Sequence, residues 1–230
     1  SAIVRGLAGG TQVLAAGAQD EAAYARRAAL LDKAGDKTGL TALYDELKRG
    51  ATTPNPMRRL LLGQLAELLE RYDEALEWYA KVPGERMQGA ARLRAAGVLH
   101  AMGRSQQAYD ALHAIQADAA LAEDERRDGY LLEAELRQKA KDANGEQDAY
   151  ARGLAAFPDE SALLYARGLM WERLDQIGKA EADLRRLLVI EPDNVAALNA
   201  LGYTLADRTD RYREALELID RARVAEPGNA

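Results

Sequence analysis

The stretch from Leu163 to Asn194, LLYARGLMWERLDQIGKAEADLRRLLVIEPDN, decides the fold. Leu164, Gly168 and Trp171 follow at four- and three-residue spacing, which sets them on one face of a helix. The pattern breaks at 175–178 and resumes on a second helix with Ala180, Leu184 and Leu187. Pro192 blocks continuation and pushes Glu191 out of helical geometry. Gly168 and Ala180 are small, as two helices require where their backbones cross closely. A larger side chain there should cost on the order of 1–3 kcal/mol.

Working outward, the same unit recurs. Pro158, Pro192 and Pro227 are 34 and 35 residues apart. A small residue returns at Ala28, Gly63, Ala96, Ala134, Gly168 and Gly202. Twelve residues after each of the first five stand Leu40, Ala75, Ala108, Glu146 and Ala180, and the sixth copy has Ala215, thirteen on. The extra residue falls in the turn 206–212. Four positions further come Tyr44, Tyr79, Leu112, Tyr150, Leu184 and Ile219, and three beyond those Leu47, Val82, Ile115, Gly153, Leu187 and Ala222. A generic helical bundle has no need of a fixed period; six paired helices stacked as repeats do.

Composition agrees. Alanine is roughly a fifth of the 230 residues, and Ala, Leu, Glu and Arg are helix formers, so an all-β fold is excluded. With no cysteine the chain cannot be a disulfide scaffold, a zinc finger, an iron–sulfur protein or a thiol enzyme. Its net charge of −6 argues against nucleic acid as partner. The apolar run from Ile3 to Ala18 is too short, and too rich in glycine, to span a bilayer. Ser rather than Met at position 1 leads us to expect a piece of a longer protein, with any targeting signal or lipid anchor outside it.

These repeats resemble the tetratricopeptide family. NALGYTLADRTDRYREALELIDRARVAEPGN carries its Leu201–Gly202 pair, Ala215, Ile219, Ala222 and Pro227, and the copy from Pro56 carries Leu62, Gly63, Ala75, Tyr79 and Val82. The resemblance covers about 21–229 and implies an all-α, α-α superhelix of six helix-turn-helix repeats near 21–54, 56–88, 89–122, 127–160, 161–194 and 195–229. Residues 1–20 would be the remnant of a preceding repeat or an N-terminal helix. The copies near 21, 89 and 127 match less closely; in the last two, Arg92 and Arg137 stand where an apolar residue is usual, and Glu146 replaces the second-helix alanine. The linker 121–126 is longer than usual. The final helix, expected over 213–225, has Leu216 and Leu218 beyond what its own hairpin needs, so end-to-end pairing of two copies is expected there.

Catalytic signals are sparse, and we expect no enzyme and no cofactor or metal. His100 and His113 lack ligand spacing, and no phosphate loop, nucleophile elbow or calcium loop is present. Carboxylates such as Glu133/Glu135 and Glu123/Asp124/Glu125 are expected to solvate helix faces or to favour a helix start. The Arg–Arg pairs at 26–27, 58–59, 126–127 and 185–186 are expected on salt-bridged surfaces.

In the family, first helices line a binding groove. The resemblance therefore implies a partner-binding face of Tyr165, Leu169, Asn199 and Tyr203, an aromatic and apolar wall with one amide for a peptide backbone. Met57, Gln64, Glu67, Glu135 and Glu172 would add polar contacts. Tyr165 and Tyr203 either line this groove or cover the neighbouring repeat. The Lys–Asn pair with which a subgroup clamps chaperone tails is missing. The implied function is a non-catalytic scaffold or adaptor for protein or peptide partners, without nucleic acid or direct membrane insertion. The run from Leu163 to Ala230 is similar to bacterial outer-membrane tetratricopeptide lipoproteins. They include the adaptor of a periplasmic C-terminal processing protease that acts on cell-wall enzymes. That similarity implies a periplasmic, outer-membrane-associated location. The alternatives are a cytoplasmic assembly scaffold and the repeat domain of a larger enzyme.

Overall fold

In the computed structural model, which describes residues 20–50 and 55–226, helices follow one another in hairpins, and no strand occurs among the described residues. The pairs are α1 (20–33) with α2 (Lys37–Arg49), α3 (Pro56–Leu68) with α4 (Tyr72–Ala80), and α5 (Glu85–Ala101) with α6 (Ser105–Ala117). Then come α7 (Glu123–Lys139) with α8 (Ala143–Ala156), α9 (Ser161–Arg173) with α10 (Ile177–Ile190), and α11 (Val195–Arg208) with α12 (Tyr212–Ala225). Each of the recurrent positions is buried except Ile219, which is half-buried on the last hairpin. At Gly168 an added Cβ would come within 3.2 Å of Leu184, and at Gly202 within 2.7 Å of Ile219 and 3.1 Å of the Ala215 carbonyl oxygen. The small residues are thus small because the partner helix lies against them.

One turn closes the first five hairpins. The residue two after each first helix is left-handed: Gly35, Glu70, Gly103, Lys141 and Asp175, with φ between 57° and 78°. Each turn carries the same pair of backbone hydrogen bonds, such as Asp175 N to Glu172 O at 3.0 Å and Gln176 N to Trp171 O at 2.7 Å. That pairing satisfies helix-end carbonyls and reverses the chain at once. The sixth hairpin, with its inserted residue, closes differently. Thr209 is extended, and its hydroxyl donates to Leu205 O and accepts from Arg211 N.

The residues before the three prolines share one geometry. Phe157, Glu191 and Glu226 have φ of −132°, −128° and −139° and ψ near 80°. A proline that crowds its predecessor out of the helical region produces this stop. Pro227 itself, and the remnant expected over 1–20 except for its last residue, lie outside the described residues.

Contacts divide the chain into two compact units, up to Glu125 and from Arg126 onward. The first has its core in Leu40, Leu43, Tyr44, Leu62, Leu65 and Tyr79, among others. Within it Trp78 donates to the Tyr44 hydroxyl at 2.9 Å, and that hydroxyl donates to Glu74 at 3.0 Å. The second is built around Leu163, Met170, Leu184, Leu198, Leu201 and Leu205.

The fourth copy keeps Tyr130, Ala134, Ala149, Tyr150 and Leu154 in the core and departs from the pattern where charged residues enter beside them. Glu133, expected to solvate a helix face, is fully buried. Arg152 Nη2 donates to both its carboxylate oxygens at 2.8 and 2.9 Å, and Arg137 donates at 3.3 Å. Arg137 stands at the usual apolar position and supplies that carboxylate with a counter-charge. Glu146, at the alanine position, is 1% exposed and accepts from Arg173 Nη2 at 2.6 Å. Burial, reinforced by the Glu146 carboxylate, pushes the Tyr150 hydroxyl up to about 12. Arg92 is half-buried and held by Asp118 at 2.7 Å. α7 starts at Glu123, so much of the expected linker 121–126 is helix, with Glu123, Asp124 and Glu125 in its positive first turn.

At the chain's end Leu218 turns into its own core, 5% exposed, and only Leu216 of the expected pair stays at the surface, 58% exposed. The reason is the helix period: Leu218 lies three and four residues from Ala215 and Ala222, on the buried stripe, and Leu216 does not.

Candidate functional site

A site on this architecture comes from first helices, whose exposed faces are set by the buried stripe beside them. In the second unit, α9 and α11 enclose a cleft of about 610 Å³ lined by Leu169, Glu172, Ala200, Tyr203, Thr204, Ala206 and Asp207. Leu169 is 43% exposed and Tyr203 61% exposed, and what sets them apart from other exposed apolar residues is that they line one cleft together. Each follows the buried face by one step: Leu169 succeeds Gly168, and Tyr203 succeeds Gly202. Tyr203 also walls an adjoining cleft of about 480 Å³ with Val195, Asn199, Ile219, Ala222, Arg223 and Glu226.

At the mouth of the first cleft Arg208 donates to Glu172 at 2.8 Å and also to Asp175. This one guanidinium ties the end of α11 to the turn after α9. Behind it, Arg185 and Arg211 both grip Glu181, with Arg211 Nη1 at 2.8 Å and Arg185 Nε at 2.9 Å. Hydrogen bonding from Arg211, against the opposing cost of burial and with help from Arg185, holds the Glu181 carboxyl below its usual range.

In the first unit, α1 and α3 form two smaller hollows. One, about 280 Å³, brings Gln64 and Glu67 beside Ala25, Ala29, Asp32 and Arg94. The other, about 140 Å³, joins Met57 and Gln64 to Ala22, Leu60 and Met87. Glu67 is engaged from within, accepting from the Tyr79 hydroxyl and from Arg94 at 3.4 Å.

The sequence-derived candidates therefore divide. Leu169, Glu172 and Tyr203 meet in one cleft, Asn199 joins Tyr203 in the next, and Met57, Gln64 and Glu67 gather in the first unit. Tyr165 and Glu135 stand outside these clefts. Tyr165 is half-buried against the second unit's core, and Glu135 pairs with Lys139 at 3.1 Å. Asp207, Ala200 and Thr204 were missed. Asp207 could have been found, since it lies four residues after Tyr203 and so on the same side of the helix.

His100 Nε2 is buried without a hydrogen-bond partner among the described residues, its ring 6.1 Å from that of Tyr109. Among the described residues no group of three or more His, Asp or Glu side chains is placed to hold a metal ion, and no helix is long and apolar enough to cross a membrane.

Against known proteins, the chain is 40% identical over 170 residues to a TPR repeat-containing protein of Pseudomonas aeruginosa. That match supports the tetratricopeptide repeat family. The match covers 72% of this chain and 28% of that much longer relative. Among solved structures, a crystal structure of MamA aligns with a TM-score of 0.51 at 16% identity, covering 72% of this chain and 95% of its own. A second MamA crystal structure aligns at 0.50 and 15%, covering 75% and 92%. At that identity the likeness concerns the fold alone. No family model matches the chain. Tetratricopeptide proteins generally mediate protein–protein interactions and are typically non-catalytic.

Proposed function

We propose that the chain is a non-catalytic adaptor that holds protein partners on the faces of its first helices, above all in the α9–α11 cleft. One observation carries the reading: Leu169 and Tyr203 project from successive first helices into the same 610 Å³ cleft, where neither serves the core. Large apolar side chains held at a surface cleft between rigid helices are what a docking partner buries.

In the intact, longer protein this adaptor acts at the bacterial envelope, presenting a periplasmic protease or a cell-wall enzyme with its partner. Support for that finer reading is the similarity of the 163–230 run to outer-membrane tetratricopeptide lipoproteins.

The test is affinity capture with the full-length protein in its own host, comparing wild type with a Leu169→Asp/Tyr203→Ser variant. Both positions are exposed, so the variant keeps its fold, checked by its melting curve. Partners recovered by the wild type should be lost from the variant, and recovery of the same partners at the same yield refutes the assignment. Cell fractionation that places the intact protein in the cytosol refutes the envelope location.

A further inference from the structure

We infer that the α9–α11 cleft takes an extended peptide segment bearing an apolar side chain and, two residues away, a cationic one; this rests on the groove reading above and specifies its ligand. The argument begins with Asp207. It is exposed, lines the cleft, and makes no ion pair or side-chain hydrogen bond among the described residues. Around it the charge is unbalanced. Two carboxylates and no basic side chain line the cleft, and the other carboxylate, Glu172, is already paired with Arg208, which also holds Asp175.

The spacing then fixes the ligand. Asp207 lies four residues beyond Tyr203 on α11, which at a rise of 1.5 Å per residue is about 6 Å along the helix. An extended chain advances about 3.3 Å per residue, so a side chain seated between Leu169 and Tyr203 puts the position two residues away beside Asp207. On the other side of Tyr203, again one turn off, Asn199 offers an amide with no side-chain partner among the described residues. It can both donate to and accept from a peptide backbone. The floor of the cleft, Ala200 and Ala206, is small enough for a backbone to approach. A Lys–Asn clamp holds a carboxylate; this arrangement has the opposite sign.

The experiment titrates the ¹⁵N-labelled 230-residue chain with two acetylated, amidated peptides, Gly-Ser-Leu-Ser-Arg-Ser-Gly and Gly-Ser-Leu-Ser-Glu-Ser-Gly, following amide shifts by NMR. Attraction on one side and repulsion on the other each contribute a surface-charge effect, so the Arg peptide should bind about fivefold to tenfold more tightly. Asp207→Lys should reverse the order and Asp207→Asn should bring the two peptides together. Both variants change only an exposed side chain, and unchanged spectra away from the cleft confirm that they fold. Equal binding of both peptides, preference for the Glu peptide, absence of binding by either, or an Asp207→Lys variant with unaltered order each overturns the inference. So does occupation of the cleft by a second copy, seen as concentration-dependent shifts of the same amides without peptide. Failure here leaves the adaptor reading standing, because that reading is decided by Leu169 and Tyr203 in the capture experiment and not by Asp207.

Discussion

Replacing Arg152 by methionine should cost the second unit about 3 kcal/mol, and replacing its partner Glu133 by leucine should cost much less. Arg152 Nη2 holds both oxygens of a fully buried carboxylate, at 2.8 and 2.9 Å. Methionine keeps the apolar stem and removes the charge. A charge-assisted hydrogen bond contributes about 1.5–3 kcal/mol, and the contact of the guanidinium with the Tyr130 ring, 5.8 Å away, adds up to about 1 kcal/mol. Arg137 remains as counter-charge at 3.3 Å, which keeps the loss below the roughly 3–5 kcal/mol of a wholly abandoned buried ion. Deleting the carboxylate is different. Arg152 is 36% exposed with Asp148 at 2.7 Å, and Arg137 is 22% exposed with Asp142 at 3.1 Å, so both cations keep an outer partner and reach water. Glu133→Leu should therefore cost at most about 1 kcal/mol, since replacing a buried ion by a packed apolar group is often close to neutral. Urea unfolding followed by helical circular dichroism measures both. At a slope of about 2 kcal/mol per molar, Arg152→Met should lower the midpoint by about 1.5 M. If Glu133→Leu proves the more damaging of the two, the account of this carboxylate as a charge held at a desolvation cost is wrong.

Gly202→Ala should destabilise by about 1 kcal/mol, because a Cβ 2.7 Å from Ile219 and 3.1 Å from the Ala215 carbonyl oxygen overpacks the crossing by more than alanine's helix propensity returns. Gly97→Ala, with nothing within 4 Å of the added carbon, should stabilise by about 0.5–1 kcal/mol, and thermal melts that give both changes the same sign would refute the contrast. Glu181 governs a pH effect. Its folded carboxyl titrates below the usual value, so its contribution is complete above the unfolded value and is lost as pH falls through the lowered one. Relative to a Glu181→Gln variant, the wild-type melting temperature should fall as pH drops below about 4.5 and run parallel above it.

The period was legible because it is written in residues whose chemistry allows few alternatives. A proline cannot continue a helix, and at Gly202 an added Cβ would come within 2.7 Å of Ile219 on the partner helix. The same reasoning found the fourth copy but not how its charges are held, because Glu133, Arg137 and Glu146 read one at a time as solvated or misplaced charges. Their burial depends on Arg152 and Arg173, 19 and 27 residues away, and periodicity carries no information about which distant charge meets which. Leu218 was misplaced for a simpler reason: the buried stripe was drawn through Ala215, Ile219 and Ala222 alone, although Leu218, three residues after Ala215 and four before Ala222, belongs to the same face. At the cleft, the family register located Leu169, Glu172 and Tyr203 and overlooked Asp207, since a carboxylate followed directly by Arg208 does not announce that it is unpaired. Tyr165 and Tyr203 occupy neighbouring groove positions, yet one packs on the core and the other stands in solvent.

Asp175 holds a left-handed backbone position that glycine would occupy at lower cost, and its side chain is also what Arg208 of the following hairpin grasps. Glycine there would relax one turn and cut that tie. The hairpins would stay joined through Arg208 and Glu172 and through their shared core, so the gain and the loss are both small, and a strained turn persists where its side chain also reaches the next module.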